Sequence, residues 1–458
     1  MDFIIWILET PTFEWLLVRP YKSVLAIIFF LLVLPTYFKI RNEEREARAL
    51  QEKAIRDGLH EPVSIRPYVD LSKCMGSGSC IRACPEQAVL QIIGGVAEIV
   101  RGSHCVGHGA CEAACPVGAI QLEFGSERRG VELPSISPDF ETNVPGIYIA
   151  GELGGMGLVA NAVEQGAQGV RNLRKTVSKS VQSDVDVLIV GAGPAGLGAA
   201  LEAKKSGLSY RVLEQGEFGG AIRHFPRQKL VMTRPIDFPG YKKVKIDTIR
   251  KEELIALFEE VVAETGLVIH DHERVDSISP AGEGAFTVKT SKGSVLSQKV
   301  VIAVGRAGTP RKLNVPGERL EKVAYRLLDP ELYQHQHILV VGGGDSALEA
   351  ACSLAEQVGN RVTLSYRKAV VNRAKAANIS RMKAMASTGS LKLVFGSTVS
   401  EIHGDRVTLQ QGEESLVIAN DQVFIFAGGI LPFTFLENAG IQIETHFGKR
   451  VVVRERTK

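Results

Sequence analysis

A short apolar strand that runs into closely spaced glycines and a helix restricts the fold of this chain more than any other feature. Val185 to Val190 leads into Gly191, Gly193 and Gly196, and Glu214 follows about twenty residues later, where a second strand ends. The glycines permit a tight turn and let the backbone approach a pyrophosphate, whose charge the amino end of the helix attracts. The carboxylate then binds a ribose hydroxyl. The pattern predicts a dinucleotide-binding α/β domain.

The same pattern returns later in the chain. The strand from Ile338 to Val341 precedes Gly342, Gly344 and Ala347, which occupy the three glycine positions. Alternating β-branched runs, glycine turns and helical patterns surround both copies, which is typical of doubly wound α/β domains. Two copies imply two bound dinucleotides.

The second copy lacks the acidic residue of the first. Its next strand, residues 362–364, is followed by SYRK, and three basic residues are available there: Arg367, Lys368 and Arg373. Without a carboxylate to accept a 2′-hydroxyl, basic side chains favour a ligand that carries a 2′-phosphate. The second site is therefore predicted to bind NADPH in preference to NADH, and a merely solvated basic turn is the alternative.

Six of the seven cysteines lie close together, and their spacing occurs twice. The two groups are Cys74, Cys80, Cys84 and Pro85, and Cys105, Cys111, Cys115 and Pro116. The odd total and the clustering indicate metal ligation in a reducing compartment rather than a disulfide framework. The seventh cysteine, Cys352, shares a helix face with apolar residues, so buried packing is its expected role.

The cysteine segment resembles the two-cluster bacterial ferredoxins over about sixty residues. In that family the cysteine before the proline in each half binds the cluster of the other half. The chain departs from the family at Ser77 and His108, where the second cysteine of each half is expected. The resemblance implies one cluster on Cys74, Cys80 and Cys115 and another on Cys84, Cys105 and Cys111.

Several alternatives stay open at the two odd positions. The stretch CVGHGAC also resembles single-cluster ferredoxins that serve bacterial monooxygenases, where a non-cysteine accompanies a three-iron cluster or an unusually ligated four-iron cluster. His108 is either a cluster ligand or a solvated loop residue. Zinc is the remaining alternative, although zinc motifs seldom double with crossed cysteine–proline endings.

The amino terminus departs most from the composition of a globular enzyme. Residues 23–38 (SVLAIIFFLLVLPTYF) carry no charge, and a membrane span takes roughly 17 to 25 such residues. No small-residue processing site follows, so a retained membrane anchor is predicted. Basic residues are denser after the run than before it, which predicts that the rest of the chain lies at the cytoplasmic face of the membrane. They are Lys39, Arg41, Arg45 and Arg48 after the run, against Arg19 and Lys22 before it.

The two glycine patterns, the strand VVIAVG that ends at Gly305, and the spacing between them resemble pyridine nucleotide flavoproteins of the thioredoxin reductase type. That resemblance implies FAD at the first site and NADPH at the second. The stretches AYRLLDPELY and FGGAIRHFPRQKLVMTRP look closer still to bacillithiol disulfide reductase-like members. The resemblance implies that Gly219 and Gly220, in the second of these stretches, also bind the cofactor of the first site. Thioredoxin reductases carry a redox CxxC where this chain has Tyr325 to Tyr333 without cysteine, so no active-site dithiol is expected.

The closing motif of that family places a strand-end acid on the flavin ribityl chain and a helix near the ring. It is missing from the last residues, and a matching stretch, DFETNVPGIYIAGELGGMGLVANAVEQGAQGV, lies at residues 139–170 instead. The resemblance implies a circularly permuted flavin domain in which Gly151, Glu152 and Gln165 bind FAD, with a simple tandem linker as the alternative. Such a permutation would hold the clusters close to the flavin.

Together these features predict an α/β chain with two Rossmann-like dinucleotide-binding domains, a small α+β ferredoxin-like domain and one transmembrane helix. The predicted segments are a membrane anchor (1–40), an exposed helical stalk (41–62), the ferredoxin-like domain (63–128), a permuted segment of the FAD domain (129–180), the FAD domain (184–315), the NADPH domain (316–422) and a return to the FAD domain (423–458).

Hydride exchange between NADPH and FAD, followed by one-electron transfer through two iron–sulfur clusters to or from a redox partner, is the predicted activity of this membrane-anchored oxidoreductase. A net charge of +3 in 458 residues, without a basic stripe, argues against a nucleic acid partner. The predicted partners of such a chain are membrane lipid, an electron-transfer partner and a second copy of the chain in a homodimer. The alternatives are a membrane-anchored low-molecular-weight thiol–disulfide reductase and a non-enzymatic redox sensor.

Overall fold

The computed structural model describes positions 28 and 31 and residues 34–450, apart from residues 58, 63, 64, 87, 106, 128, 129, 156, 247, 283, 307, 372 and 373. Helix α1 (Leu34–Arg56) comes first in this range. Ala47 and Ala54 bury one face of it against Ile93 and Val100. The helix predicted as an exposed stalk is exposed over most of its length, and this one face of it lies against the cysteine segment.

The predicted membrane anchor at residues 23–38 is wrong for the part of the chain that the structure describes. Spanning a bilayer takes roughly 20 consecutive apolar residues in a helix. Helix α1 has five residues before Lys39, and charged residues recur from there to its end. No helix within the described ranges is long and apolar enough to cross a membrane. The predicted location at the cytoplasmic face of a membrane is corrected with it; most of residues 23–33 lie outside the described residues.

Two antiparallel strand pairs and two short helices form the cysteine segment. They are β1 (Ile65–Val69), α2 (Ser79–Ala83), β2 (Leu90–Ile93), β3 (Val96–Ile99), α3 (Ala110–Ala113) and β4 (Ile120–Phe124). Strand β1 pairs with β4, and β2 pairs with β3. Gly78 and Gly109 begin the two helices with left-handed backbone, at φ of 68° and 73°. The repeated cysteine spacing is thus matched by a repeated local structure.

The first glycine pattern lies in a unit built around a seven-stranded sheet. The elements that precede and form this unit are β5 (Val131–Pro134), β6 (Ile147–Ile149), α4 (Val159–Leu173), β7 (Val185–Val190), α5 (Pro194–Lys205), β8 (Tyr210–Leu213), β9 (Leu230–Met232), β10 (Ile236–Asp237), β11 (Lys243–Val244), β12 (Thr248–Arg250), α6 (Lys251–Thr265), β13 (Ile269–His270), β14 (Val275–Pro280), β15 (Phe286–Thr290) and β16 (Gly293–Ile302). The strand order in the sheet is β13-β8-β7-β16-β15-β14, with β6 beside β16. Strands β6, β7, β8, β13 and β16 are parallel, whereas β15 and β14 form an antiparallel edge.

Strand β6 and helix α4 precede the first glycine pattern in the sequence, and both pack into this unit. Ile147 to Ile149 pairs in parallel with the last residues of β16. Helix α4 lies so close to α5 that a methyl group on Gly166 would come within 1.9 Å of the Ala195 carbonyl oxygen. A methyl group on Gly198 would similarly meet the Val163 carbonyl at 2.1 Å. Glycines on both helices therefore let the two backbones touch.

The second glycine pattern lies in a five-stranded parallel sheet. The elements of this part are β17 (Thr309–Pro310), β18 (Val323–Ala324), β19 (His337–Val341), α7 (Asp345–Ala355), β20 (Arg361–Tyr366), α8 (Ala376–Ser387), β21 (Leu391–Phe395), β22 (Ser397–Ile402), β23 (Arg406–Gln411), β24 (Glu414–Ala419) and β25 (Gln422–Ile425). The strand order in the parallel sheet is β18-β25-β19-β20-β21. A three-stranded antiparallel sheet, β22-β23-β24, adjoins it. The predicted boundary at residue 422 falls at the first residue of β25, which is part of this sheet.

The last described elements return to earlier parts of the chain. They are β26 (Gly429–Ile430), α9 (Phe433–Asn438), β27 (Ile443–His446) and β28 (Lys449–Arg450). Leu436 of α9 is buried in the core under the seven-stranded sheet. Strand β27 pairs with β5, and β28 pairs with β4 as a third strand beside β1. The last described elements therefore pack against the cysteine segment as well as the first sheet.

Candidate functional site

The first glycine turn has the geometry that close approach of a phosphate requires. Gly191 has a φ of 103°, in the region that favours glycine, and a methyl group on Gly196 would meet the Gly191 carbonyl oxygen at 1.9 Å. Gly193 lies directly against Gly220, and the N–H of Gly219 donates to the Ala192 carbonyl at 3.0 Å. The five glycines predicted for this site are therefore brought together.

Glu214 lies at the end of β8 and faces the same turn. Its side chain is buried and accepts hydrogen bonds from the N–H groups of Ala192, at 2.8 Å, and Gly216, at 3.0 Å. A buried carboxylate held by two backbone donors has a fixed orientation. This places an acceptor beside the glycine turn, as ribose recognition requires.

The turn after β6 meets this site from the other side. Gln165 accepts a hydrogen bond from the Gly151 N–H at 2.9 Å, and a methyl group on Gly151 would overlap the Ala195 side chain. Strands β6, β7 and β16 are parallel neighbours, so the residues that follow them share one edge of the sheet. Ligands of open α/β sheets bind at that edge.

Arg306 is a residue of this edge that sequence reasoning missed. It follows β16 and is half-buried, and it lies near Glu152, which is exposed. Partial enclosure by the surrounding protein raises the pKa of Glu152, and the positive charge of Arg306 offsets part of that rise. Burial in turn lowers the pKa of Arg306. The signal that could have found Arg306 is its place directly after a buried parallel strand.

The second glycine turn is covered by an aromatic ring. Gly342 has a φ of 149°, and a methyl group on it would overlap the Ala347 side chain; Gly344 begins α7. Tyr366, the last residue of β20, lies so close to Gly343 that a methyl group there would meet its ring at 2.4 Å. Two predicted basic residues, Arg367 and Lys368, follow it and are exposed, whereas Arg373 lies outside the described residues.

The six clustered cysteines line two separate cavities. Cys74, Cys80 and Cys115 line one of about 290 Å³ together with Ser77, which we call the Ser77 site. Cys84, Cys105 and Cys111 line another of about 320 Å³ together with His108, which we call the His108 site. Each cavity is thus lined by two cysteines of one half of the repeat and by the cysteine that precedes the proline in the other half.

Burial dominates the chemistry of these thiols. It raises the pKa of Cys105 to about 11 and that of Cys111 to about 12, and neighbouring cysteines add to both shifts. Three converging thiolates, one of them buried and two half-buried in each cavity, therefore need a positive centre to compensate them. Backbone N–H groups of Ala97 and Ala119 point at the sulfurs of Cys74, at 3.3 Å, and Cys115, at 3.2 Å. The donor set fits iron–sulfur clusters, whose properties depend on such hydrogen bonds.

His108 contributes a nitrogen to its cavity. Its Nε2 atom is buried and makes no hydrogen bond within the described part of the chain, and burial lowers the pKa of the ring. Glu86, which sequence reasoning did not single out, lines the same cavity. Ser77 is exposed. Across the described residues, no three His, Cys, Asp or Glu side chains are arranged to hold a single metal ion.

Comparison with known proteins identifies the larger part of the chain. Residues 188–458, more than half of it, match the family model described as pyridine nucleotide-disulphide oxidoreductase. The chain belongs to this family. Residues 66–116 match a 4Fe-4S dicluster domain. The protein is therefore an FAD-dependent pyridine nucleotide oxidoreductase that also carries a dicluster domain.

Relatives in this family include two kinds of reductase. The chain is 29% identical to bacilliredoxin reductase Bdr of Bacillus subtilis over 273 residues, covering 57% of this chain and 82% of that protein. It is 32% identical to a ferredoxin–NADP reductase of Thermus thermophilus over 271 residues, covering 57% and 77%. Among solved structures, the bacillithiol disulfide reductase Bdr of Staphylococcus aureus matches with a TM-score of 0.52 and 28% identity, covering 57% of this chain and 81% of that one.

Proposed function

We propose that this oxidoreductase transfers electrons between NADPH and a redox partner by way of FAD and two iron–sulfur clusters. When bound, FAD exchanges hydride with a nicotinamide and single electrons with iron–sulfur clusters. The observation that carries the proposal is a direct contact between the two parts of the chain. Phe124, at the end of β4, packs so closely on Gly155 that a methyl group there would overlap its ring. Gly155 belongs to the turn that contains Gly151 and Glu152.

Chemical analysis tests the cofactor content of the purified protein. We expect FAD, iron and acid-labile sulfide, with enough iron for two clusters per chain. Zinc without acid-labile sulfide would refute the cluster assignment and leave the flavin assignment to be judged from the bound FAD alone.

The residues proposed to hold FAD come from two distant stretches of sequence. Gly193 and Gly196 would present backbone N–H groups to the pyrophosphate, and Glu214 would accept from a ribose hydroxyl. Gly191 would make the tight turn, because its own N–H donates to the Leu213 carbonyl at 2.7 Å. Residues 139–170 would supply the rest, with Gly151, Glu152 and Gln165 beside the ribityl chain and ring. The parallel pairing of β6 with β16 supports this circularly permuted arrangement.

Replacing Glu152 with glutamine is expected to weaken FAD binding without weakening the fold. Loss of a charged acceptor should weaken FAD binding by about 10- to 100-fold, and Glu152→Asp should retain it. Because Glu152 is exposed, the melting temperature of the FAD-free protein should change little in Glu152→Gln. Unchanged FAD content in Glu152→Gln would contradict the assignment.

The residues proposed to hold NADPH lie in the second glycine turn and after strand β20. Gly342, Gly344 and Ala347 would place the amino end of α7 against the pyrophosphate. Arg367, Lys368 and Arg373 would bind the 2′-phosphate, which is supported by the exposure of the first two directly after β20.

Replacing Arg367 and Lys368 with alanine is expected to remove the preference for NADPH. Loss of charge-assisted hydrogen bonds to the 2′-phosphate should raise KM for NADPH by about 10- to 100-fold. KM for NADH should change little, because NADH lacks that phosphate. Lys392→Ala, which removes an exposed lysine from β21, is the control and should leave both values unchanged. Equal KM values for the two nucleotides in the unmodified enzyme would already contradict the proposal.

The cluster ligands are proposed from the two cavities. Cys74, Cys80 and Cys115 would hold one cluster, and Cys84, Cys105 and Cys111 the other. His108 would supply nitrogen to the second, which is supported by its buried, unpartnered Nε2. Clusters of three or four irons, an electron-transfer partner and a homodimeric assembly stay predictions.

Similarity to the bacillithiol disulfide reductase structure favours a second candidate, reduction of a low-molecular-weight disulfide. In the described residues Cys352 is the one cysteine outside the two cavities, and it lies on α7 with its side chain buried in the core. The described residues around the five-stranded sheet therefore contain no pair of cysteines that could act as a dithiol relay. NADPH oxidation driven by bacillithiol disulfide at a rate above that with one-electron acceptors would favour this candidate over electron transfer.

A further inference from the structure

Three side chains on one face of β4 lie in a row. Ile120 lines the Ser77 site, Leu122 lines the His108 site, and the ring of Phe124 contacts Gly155. Alternate residues of a strand share a face and lie about 6.6 Å apart. The order along the strand is therefore Ser77 site, His108 site and flavin turn.

The Ser77 site is the more exposed of the two cysteine sites. Met75 and Val117, which line it, have exposed fractions of 65% and 40%, and Ser77 itself is exposed. Of the described residues that line the His108 site, Pro85 alone is exposed. A partner protein would thus reach the Ser77 site more closely than the His108 site.

We infer that the two cysteine sites act in series, with the His108 site next to the flavin and the Ser77 site as the terminal site that exchanges electrons with the partner. This inference rests on the proposed function. Each transfer between the sites moves one electron and no proton, so the first site is oxidised by one electron and the second is reduced by one. Each NADPH, which becomes NADP⁺ when its hydride passes to the flavin, supplies two such transfers to a one-electron acceptor.

A matched pair of variants tests the order. Cys80 in the Ser77 site and Cys111 in the His108 site are both buried and occupy equivalent places on α2 and α3. In Cys80→Ser, NADPH should still reduce the cluster of the His108 site at the unmodified rate. In Cys111→Ser, NADPH should reduce the flavin and leave the Ser77 cluster oxidised, although dithionite reduces it. EPR after rapid freezing measures both, and iron and FAD contents verify each variant.

The unmodified protein provides a measurement that needs no ligand to be removed. After rapid mixing with NADPH, the EPR signal that Ser77→Cys alters should appear later than the signal that His108→Cys alters. The reverse order, or prompt reduction of the Ser77 cluster in Cys111→Ser, would overturn the series arrangement. Failure of NADPH to reduce the flavin of the unmodified protein would instead overturn the proposed function, so the two failures are distinguishable.

Discussion

Replacing Gly166 with alanine is expected to displace helix α4 and release FAD. The new methyl group would lie 1.9 Å from the carbonyl oxygen of Ala195, which is backbone of α5 and cannot move aside as a side chain would. Overpacking typically costs about 1 to 3 kcal/mol, and a clash with backbone lies at the upper end of that range. Gln165 precedes this residue and accepts from the Gly151 N–H, so a shift of α4 also disturbs the proposed flavin turn. Thermal unfolding and the FAD content of the purified protein measure both effects.

Gly169→Ala is the matched control for this prediction. Gly169 lies on the same helix and is also buried, but its nearest neighbour would be the Phe140 side chain at 3.9 Å, an ordinary contact. Alanine should therefore keep FAD and stabilise the helix by up to about 1 kcal/mol. If both variants lose FAD equally, or neither does, residues 139–170 do not complete the flavin site in the way proposed.

Replacing either cysteine that precedes a proline is expected to remove one cluster, and the cluster lost should be the one in the other half of the repeat. Cys115 lines the Ser77 site and Cys84 lines the His108 site. Cys115→Ser should therefore disturb the cluster that Ser77→Cys alters, and Cys84→Ser the cluster that His108→Cys alters. Each serine variant should lose about half of the iron, because the two clusters have separate ligands.

EPR and iron analysis of the four variants decide this prediction. Thiolate is a softer and more charged ligand than hydroxyl or imidazole, so Ser77→Cys and His108→Cys should each shift the signal or potential of one cluster. The crossed pairing is wrong if Cys115→Ser perturbs the cluster that responds to His108→Cys.

The two glycine turns could be predicted from sequence because their chemistry is local. A left-handed backbone at Gly191 and contact of Gly196 with the strand leave few other residues possible, so the spacing itself carries the structure. The doubled cysteine spacing is local in the same way, and the two cavities receive their cysteines in the sets that the ferredoxin resemblance implies.

The features that sequence reasoning missed depend on contacts between distant residues. Pairing of β28 with β4 joins residues far apart in the chain, and no spacing rule predicts it. Helix α1 reads as exposed because charges surround Ala47 and Ala54, yet these two small residues form its buried face. Arg306 stands in a loop after β16, where its nearness to Glu152 depends on which strands are neighbours. The anchor prediction fails in the part of the chain that the structure describes, because no helix there is long and apolar enough to cross a membrane.

Anaerobic titration with NADPH, followed by absorbance and EPR on the same samples, measures whether electrons pass from the flavin to the clusters. We expect NADPH to bleach the flavin and then to reduce clusters that dithionite also reduces, with NADP⁺ as the product. A flavin that NADPH reduces fully while both clusters stay oxidised, although dithionite reduces them, would contradict electron transfer between the two parts of the chain.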